Sequence, residues 1–242
     1  MFLKLLSILL LSVIVLNAPA QEIVNIVLVG DEGITEDIKK ARSFIAIKKY
    51  SENLFDRLDY KLGSPLVKLR SYRDSNLTIL NGPYLEYYPS GELNIKGQYE
   101  NSLQEGDWYY YSDSGKSMLT EKYVKGKLIE SNPPDTAKKT GPFNKGDREA
   151  DWAGGTRKWI KYLQTNLNAE LGLKSVNGGT VKVLFTINPL GKTTSIFLKK
   201  SIEFILDEES IRVVRDSPEW MPALEAKPIN AYRMQPITFS KD

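Results

Sequence analysis

Between Gly82 and Gly126 aromatic and polar positions alternate, and each alternating run ends at a turn. Gly82-Pro-Tyr84-Leu-Glu-Tyr87-Tyr-Pro-Ser-Gly91 is echoed by Gly106-Asp-Trp108-Tyr-Tyr-Tyr111-Ser-Asp-Ser-Gly115, and Tyr99 returns as Tyr123. A period of two residues broken at Pro-Ser-Gly and Asp-Ser-Gly predicts β-hairpins. Ser43–Tyr50 and Leu66–Tyr72 predict further strands of the same sheet, although 41–50 also fits a short helix by period. Further on, Trp159-Ile160, Leu163 and Leu167 recur at helical spacing behind Thr156, a candidate cap. Val181, Val183, Phe185 and Ile187 then alternate as a strand, and 195–200 answers it across Pro189-Leu-Gly191. Asp207 predicts a helix N-cap, with Leu206 and Ile211 stapled across it and Arg212 and Arg215 near the far end. Pro218 stops that helix, and 229–239 reads as a last strand.

The first twenty residues form a different pattern. A short basic start at Lys4, an apolar run over 5–16 and Ala18-Pro-Ala20 have the layout of a cleaved secretory leader. The apolar run is shorter than the roughly 20 residues that span a bilayer. Ser131-Asn-Pro-Pro-Asp-Thr-Ala-Lys-Lys-Thr-Gly-Pro142 reads as a linker. The expected organisation is a leader at 1–20, a β-rich domain at 21–130, a linker at 131–150 and a C-terminal domain at 151–242.

Composition narrows the chemistry. The 242 residues include no Cys and no His, so disulfides, thiol nucleophiles and Ser-His-Asp triads are excluded. No metal or cofactor is expected, and no catalytic constellation can be named, so the chain is expected not to be an enzyme. Its net charge of +3 is small, with 33 basic residues against 30 acidic ones and no basic patch for nucleic acid. Gly191-Lys-Thr-Thr194 is not a phosphate loop: Thr186 stands where the pattern needs Gly, and strands flank the Lys.

Two resemblances organise these readings. Residues 72–127 resemble MORN-type repeats, in which the aromatic side chains stack mainly on neighbouring hairpins. Tyr87, Trp108 and Tyr111 are the aromatic residues so placed, and their sharper reading is a face for glycan, lipid or peptide. Residues 152–239 resemble the C-terminal domain of TonB. The resemblance rests on the order strand-turn-strand, Asp207-Glu-Glu-Ser-Ile-Arg-Val-Val214, Pro218-Glu-Trp220-Met-Pro222 and a strand closing on Pro236-Ile-Thr-Phe239. It departs where the family has Tyr-Pro followed by Ala, since this chain has Asn168-Ala-Glu-Leu-Gly-Leu173.

The implied fold is α+β: an all-β hairpin-repeat domain followed by two helices packed on a three-stranded sheet. The implied role is a periplasmic protein-binding adaptor in transport, with an outer-membrane receptor or other envelope protein as partner. Membrane association would come only through partners unless the leader is retained. A partner's extended peptide would add to the last strand, at Tyr232, Arg233, Met234 and Gln235. The alternative is a non-enzymatic envelope scaffold whose repeat sheet does the binding. Cleavage after Ala20 predicts a mature chain that starts at Gln21, which N-terminal sequencing reads directly. A chain beginning at Met1 in the inner membrane would refute it.

Overall fold

Ten strands in nearly sequential order build the first half of the protein, because each run of alternating residues can bury its side chains only against the next hairpin. The computed structural model describes residues 22–133, 148–225 and 227–241; the leader and most of the expected linker lie outside them. The strands are β1 (Glu22–Gly30), β2 (Gly33–Ile34), β3 (Ala41–Ser51), β4 (Leu54–Lys61), β5 (Leu66–Tyr72), β6 (Leu80–Tyr87), β7 (Leu93–Glu100), β8 (Leu103–Tyr111), β9 (Ser117–Val124) and β10 (Lys127–Asn132). They form one antiparallel sheet in the order β10-β9-β8-β7-β6-β5-β4-β3-β1-β2. Residues 41–50 are therefore strand, not helix.

The repeat is visible in the turns. In one hairpin Tyr88 N–H donates to Glu92 O (2.9 Å) and Gly91 N–H to Tyr88 O (2.8 Å). In the next, Ser112 and Gly115 make the corresponding bonds to Lys116 O and Ser112 O at the same distances. Gly97 lies directly against the Trp108 indole, where any side chain would collide with the ring. Tyr84, Tyr99 and Tyr123 pack around that indole with centroids 5.2–6.0 Å away.

The second half contains β11 (Asp151–Trp152), α1 (Gly155–Asn166), α2 (Leu171–Lys174), β12 (Gly179–Ile187), β13 (Thr193–Lys200), α3 (Phe204–Arg215), β14 (Trp220–Met221), β15 (Ala223–Glu225), β16 (Lys227–Ile229) and β17 (Ala231–Phe239). A three-stranded antiparallel sheet runs β13-β12-β17, and β11 pairs with β14. Val181, Val183, Phe185 and Ile187 are buried, as their alternation predicts. Two helix starts differ from expectation. α1 begins on Gly154, whose φ of 106° a residue with a Cβ resists, so Thr156 sits inside the helix. α3 begins at Phe204, three residues before the predicted cap Asp207, which therefore lies inside the helix.

Asp207 instead joins the two halves. Completely buried, it accepts hydrogen bonds from Tyr60 Oη of β4 (3.0 Å), Ser201 Oγ (2.5 Å) and the Ile202 amide (3.0 Å). Ser201 Oγ in turn accepts the Leu66 amide of β5 at 2.7 Å. Around this cluster Phe44 and Tyr60 stack, and Phe204 meets both edge-on, all with centroids 5.3 Å apart. Lys48, almost fully buried, pairs with Glu208 at 2.5 Å. The sheet and the C-terminal unit thus share one hydrophobic core, which runs from Ala46 to Phe239.

Burial raises the Asp207 carboxyl to about 7, against the opposing hydrogen bonds from Ser201, Ile202 and Tyr60. A raised pKa means that folding favours the protonated acid. Its stabilising contribution is complete below pH 4 and is lost as pH rises through about 7; the full change is about 4 kcal/mol. Asp56, also pushed up by burial, acts in the same direction. Asp207→Asn should therefore flatten the fall in stability between about pH 4 and pH 7, measured by urea unfolding at each pH. A variant with the wild-type slope would exclude Asp207 as its source.

Candidate functional site

A three-stranded sheet has two edges, and here they differ. At β13 the chain covers the end of its own edge, from Leu198 to Ser201. Lys200 forms a β-bridge with Glu92, the Ser201 amide donates to Gly91 O at 2.9 Å, and Tyr87 Oη donates to Leu198 O at 2.9 Å. Gly91 makes this approach possible: its φ is 84°, and a Cβ there would run into the Ser201 carbonyl. Lys182 and Lys200 converge on the Glu92 carboxylate at 3.4 and 3.5 Å. At β17 the situation is reversed. Every residue from Ala231 to Phe239 is paired with β12, and no other strand pairs with β17 among the described residues.

The four residues predicted on this strand divide by face. Tyr232 and Met234 project outward, 76% and 54% exposed. Arg233 and Gln235 turn toward the helices. The Arg233 guanidinium donates to the Ala150 carbonyl and lies 3.9 Å from both Glu149 and Asp151. Gln235 Oε1 accepts the Trp159 indole N–H at 2.6 Å. Beneath them Trp152, Trp159, Tyr162 and Trp220 form a continuous aromatic cluster, with Trp220 also against Phe185. Trp220 is buried, as a core anchor should be.

Two hollows flank the strand. One, of about 260 Å³, lies between Arg148–Ala150 and Ala231–Arg233. The other, of about 160 Å³, is lined by Trp152, Thr156, Trp159, Met234 and Gln235. Open backbone groups with side-chain hollows beside them are what strand addition requires, since main-chain bonds supply affinity and alternate pockets supply specificity. The contributions of Trp159 and of residues 148–152 were not read from the sequence, because only the fold brings them beside β17.

The predicted aromatic face of the repeats is not a single surface. Tyr87 is buried beneath the C-terminal unit, and its hydroxyl helps to cover β13. Tyr111 faces the same way. Lys199 places its ammonium 3.3 Å from the Tyr111 ring centre, and burial pushes that lysine down to about 8. Trp108 lies on the opposite side of the sheet among Tyr84, Tyr99 and Tyr123. The structure therefore brings Tyr87 and Tyr111 together and separates Trp108 from them. Among the described residues there is no cluster of acidic groups able to hold a metal ion.

Comparison with known proteins is limited to one region. A family model described as the Gram-negative bacterial TonB protein C-terminal matches residues 173–240. That span runs from the end of α2 through β17 and supports the TonB C-terminal resemblance, which is to envelope proteins of transport. The match does not reach the hairpin sheet. No curated protein and no solved structure matches the chain. No helix among the described residues is long and apolar enough to cross a membrane.

The division of β17 has a measurable consequence. Tyr232→Ala and Met234→Ala should change unfolding free energy by no more than about 0.5 kcal/mol. Gln235→Ala leaves the Trp159 N–H without its acceptor, and Arg233→Ala removes the tie to Ala150; each should cost about 1–3 kcal/mol. Urea denaturation of the four variants distinguishes the two pairs.

Proposed function

We propose that the protein is a TonB-like periplasmic adaptor that receives an extended segment of an outer-membrane receptor or other envelope protein on the free edge of β17. The observation that carries this reading is the asymmetry of the C-terminal sheet: the chain's own hairpin covers the end of β13 from Leu198 onward, whereas no backbone of the described residues pairs with the outer side of β17. A guest strand would extend the sheet to four strands. Its side chains on the helix side would enter the hollow at Trp159, and those on the far side would meet Tyr232 and Met234. The role is binding, not catalysis.

A second reading keeps the hairpin sheet, MORN-like in this view, as a scaffold surface. The outward Tyr84, Tyr99 and Tyr123 around Trp108 favour it, because the C-terminal unit does not cover them. Deleting residues 150–242 does not separate these readings, since it would strip the shared core. Photo-crosslinking does. A photoreactive residue at Tyr232 or Met234 should form adducts with the periplasm-facing segment of an outer-membrane protein, mapped by mass spectrometry. One at Tyr99 or Tyr123 should not. The opposite distribution would refute the adaptor and support the scaffold.

A further inference from the structure

Where the C-terminal unit lies across the hairpin sheet, the two do not close completely. A cleft of about 340 Å³ remains between them. Its floor is made by Leu58, Leu69 and Leu85 of β4–β6, and its roof by Ile196, Phe197 and Ile211. The roof arches because β13 bulges: Ser195 has a φ of 47°, and the β12–β13 register shifts between Leu184 and Thr186. Volume and apolar lining fall in the range of small-molecule sites, which are mostly apolar with a few placed polar groups.

The polar groups in the cleft are unequally satisfied. Asp56 accepts from Ser71 Oγ (2.5 Å) and Tyr50 Oη (2.8 Å), and Glu105 accepts the Lys125 amide (2.7 Å). Lys48 is paired with Glu208, and Tyr87 Oη is committed to Leu198 O. Asp107 is exposed. Lys96 is different. Its ammonium stands 4.8 Å from the Tyr109 ring centre and 5.3 Å from that of Phe197, with no carboxylate within 4 Å among the described residues. Burial lowers its pKa, which Asp107 opposes from a distance. Half-buried and held by aromatic faces, Lys96 is, among the described residues, the cation of the cleft without a carboxylate partner, whereas Lys48 has Glu208.

We propose that this cleft binds an amphipathic monocarboxylate, a saturated fatty acid of about ten carbons, with its carboxylate on Lys96 and its alkyl chain between the sheet leucines and β13. At roughly 30 Å³ for each water-sized group, the volume admits about eleven non-hydrogen atoms, close to the length of decanoate. The Lys96–carboxylate pair would form in an apolar setting, where a charge-assisted hydrogen bond is strong. The site is separate from the β17 edge, so a failure here leaves the adaptor reading intact.

Calorimetry on the mature full-length protein tests this with decanoate, decanol and decylammonium below their micellar concentrations. Decanoate should bind best. Lys96→Met should weaken decanoate at least tenfold and leave decanol unchanged. Ile196→Trp, which fills the cleft from the half-buried edge strand, should abolish binding of all three while the circular dichroism spectrum is retained. Leu69→Phe fills it from the floor should the first variant not fold. The proposal is overturned by absence of decanoate binding to the wild type. Preference for decylammonium, loss of decanol with Lys96→Met, or binding that survives a folded cleft-filling variant would also overturn it.

Discussion

The relation between the two halves of this protein depends on one buried carboxyl group. Asp207 lies within the first turn of α3, and its oxygens reach back to Ser201 and Ile202 and across to the distant Tyr60. Polar groups withdrawn from water must find partners, and a cluster with every member satisfied tolerates few alternative arrangements. Leu66, bonded through Ser201 Oγ, extends the constraint into β5. The aromatic trio of Phe44, Tyr60 and Phe204 and the Lys48–Glu208 pair complete a junction that fixes how the C-terminal unit lies on the hairpin sheet.

That placement decides which backbone remains available. Because α3 is held at β4 and β5, β13 comes to the turn at Gly91 and is covered there. The hairpin sheet accordingly does two things for the C-terminal unit: it shares its core and it occupies one of its edges. The other edge, with Tyr232 and Met234 outward and Trp159 beneath, is left facing solvent. The same placement leaves the cleft around Lys96, because an edge strand bulged at Ser195 cannot lie flat on a twisted sheet.

Much of this was legible in the sequence, and the remainder divides by distance along the chain. Alternation over 181–187, the hairpin turns at Gly91 and Gly115, and the helix around Val213 depend on neighbours a few residues apart, and these elements form as predicted. The start of α3 is not legible locally, because Asp207 suits a cap chemically while one of its three partners, Tyr60, is 147 residues away. Likewise the alternation of Tyr87, Trp108 and Tyr111 established that they belong to strands, but not which side faced a second layer. The odd spacing of Trp108 and Tyr111 on one strand puts them on opposite faces, and Tyr111 is the one that meets Lys199 beneath the C-terminal unit. The last strand and the four residues named on it were legible as a strand, while the Ala150 and Trp159 partners of Arg233 and Gln235 required the fold.

An edge that can pair on only one side also limits self-association. Open sheets with two free rims can stack head to tail without end and so give rise to fibrils. In this C-terminal sheet the rim at β13 is blocked at its end by the turn at Gly91, so two molecules meeting through β17 would form a twofold pair whose remaining rim is shortened. Growth beyond the pair is hindered at this sheet, which lowers the tendency of a free strand to seed polymers.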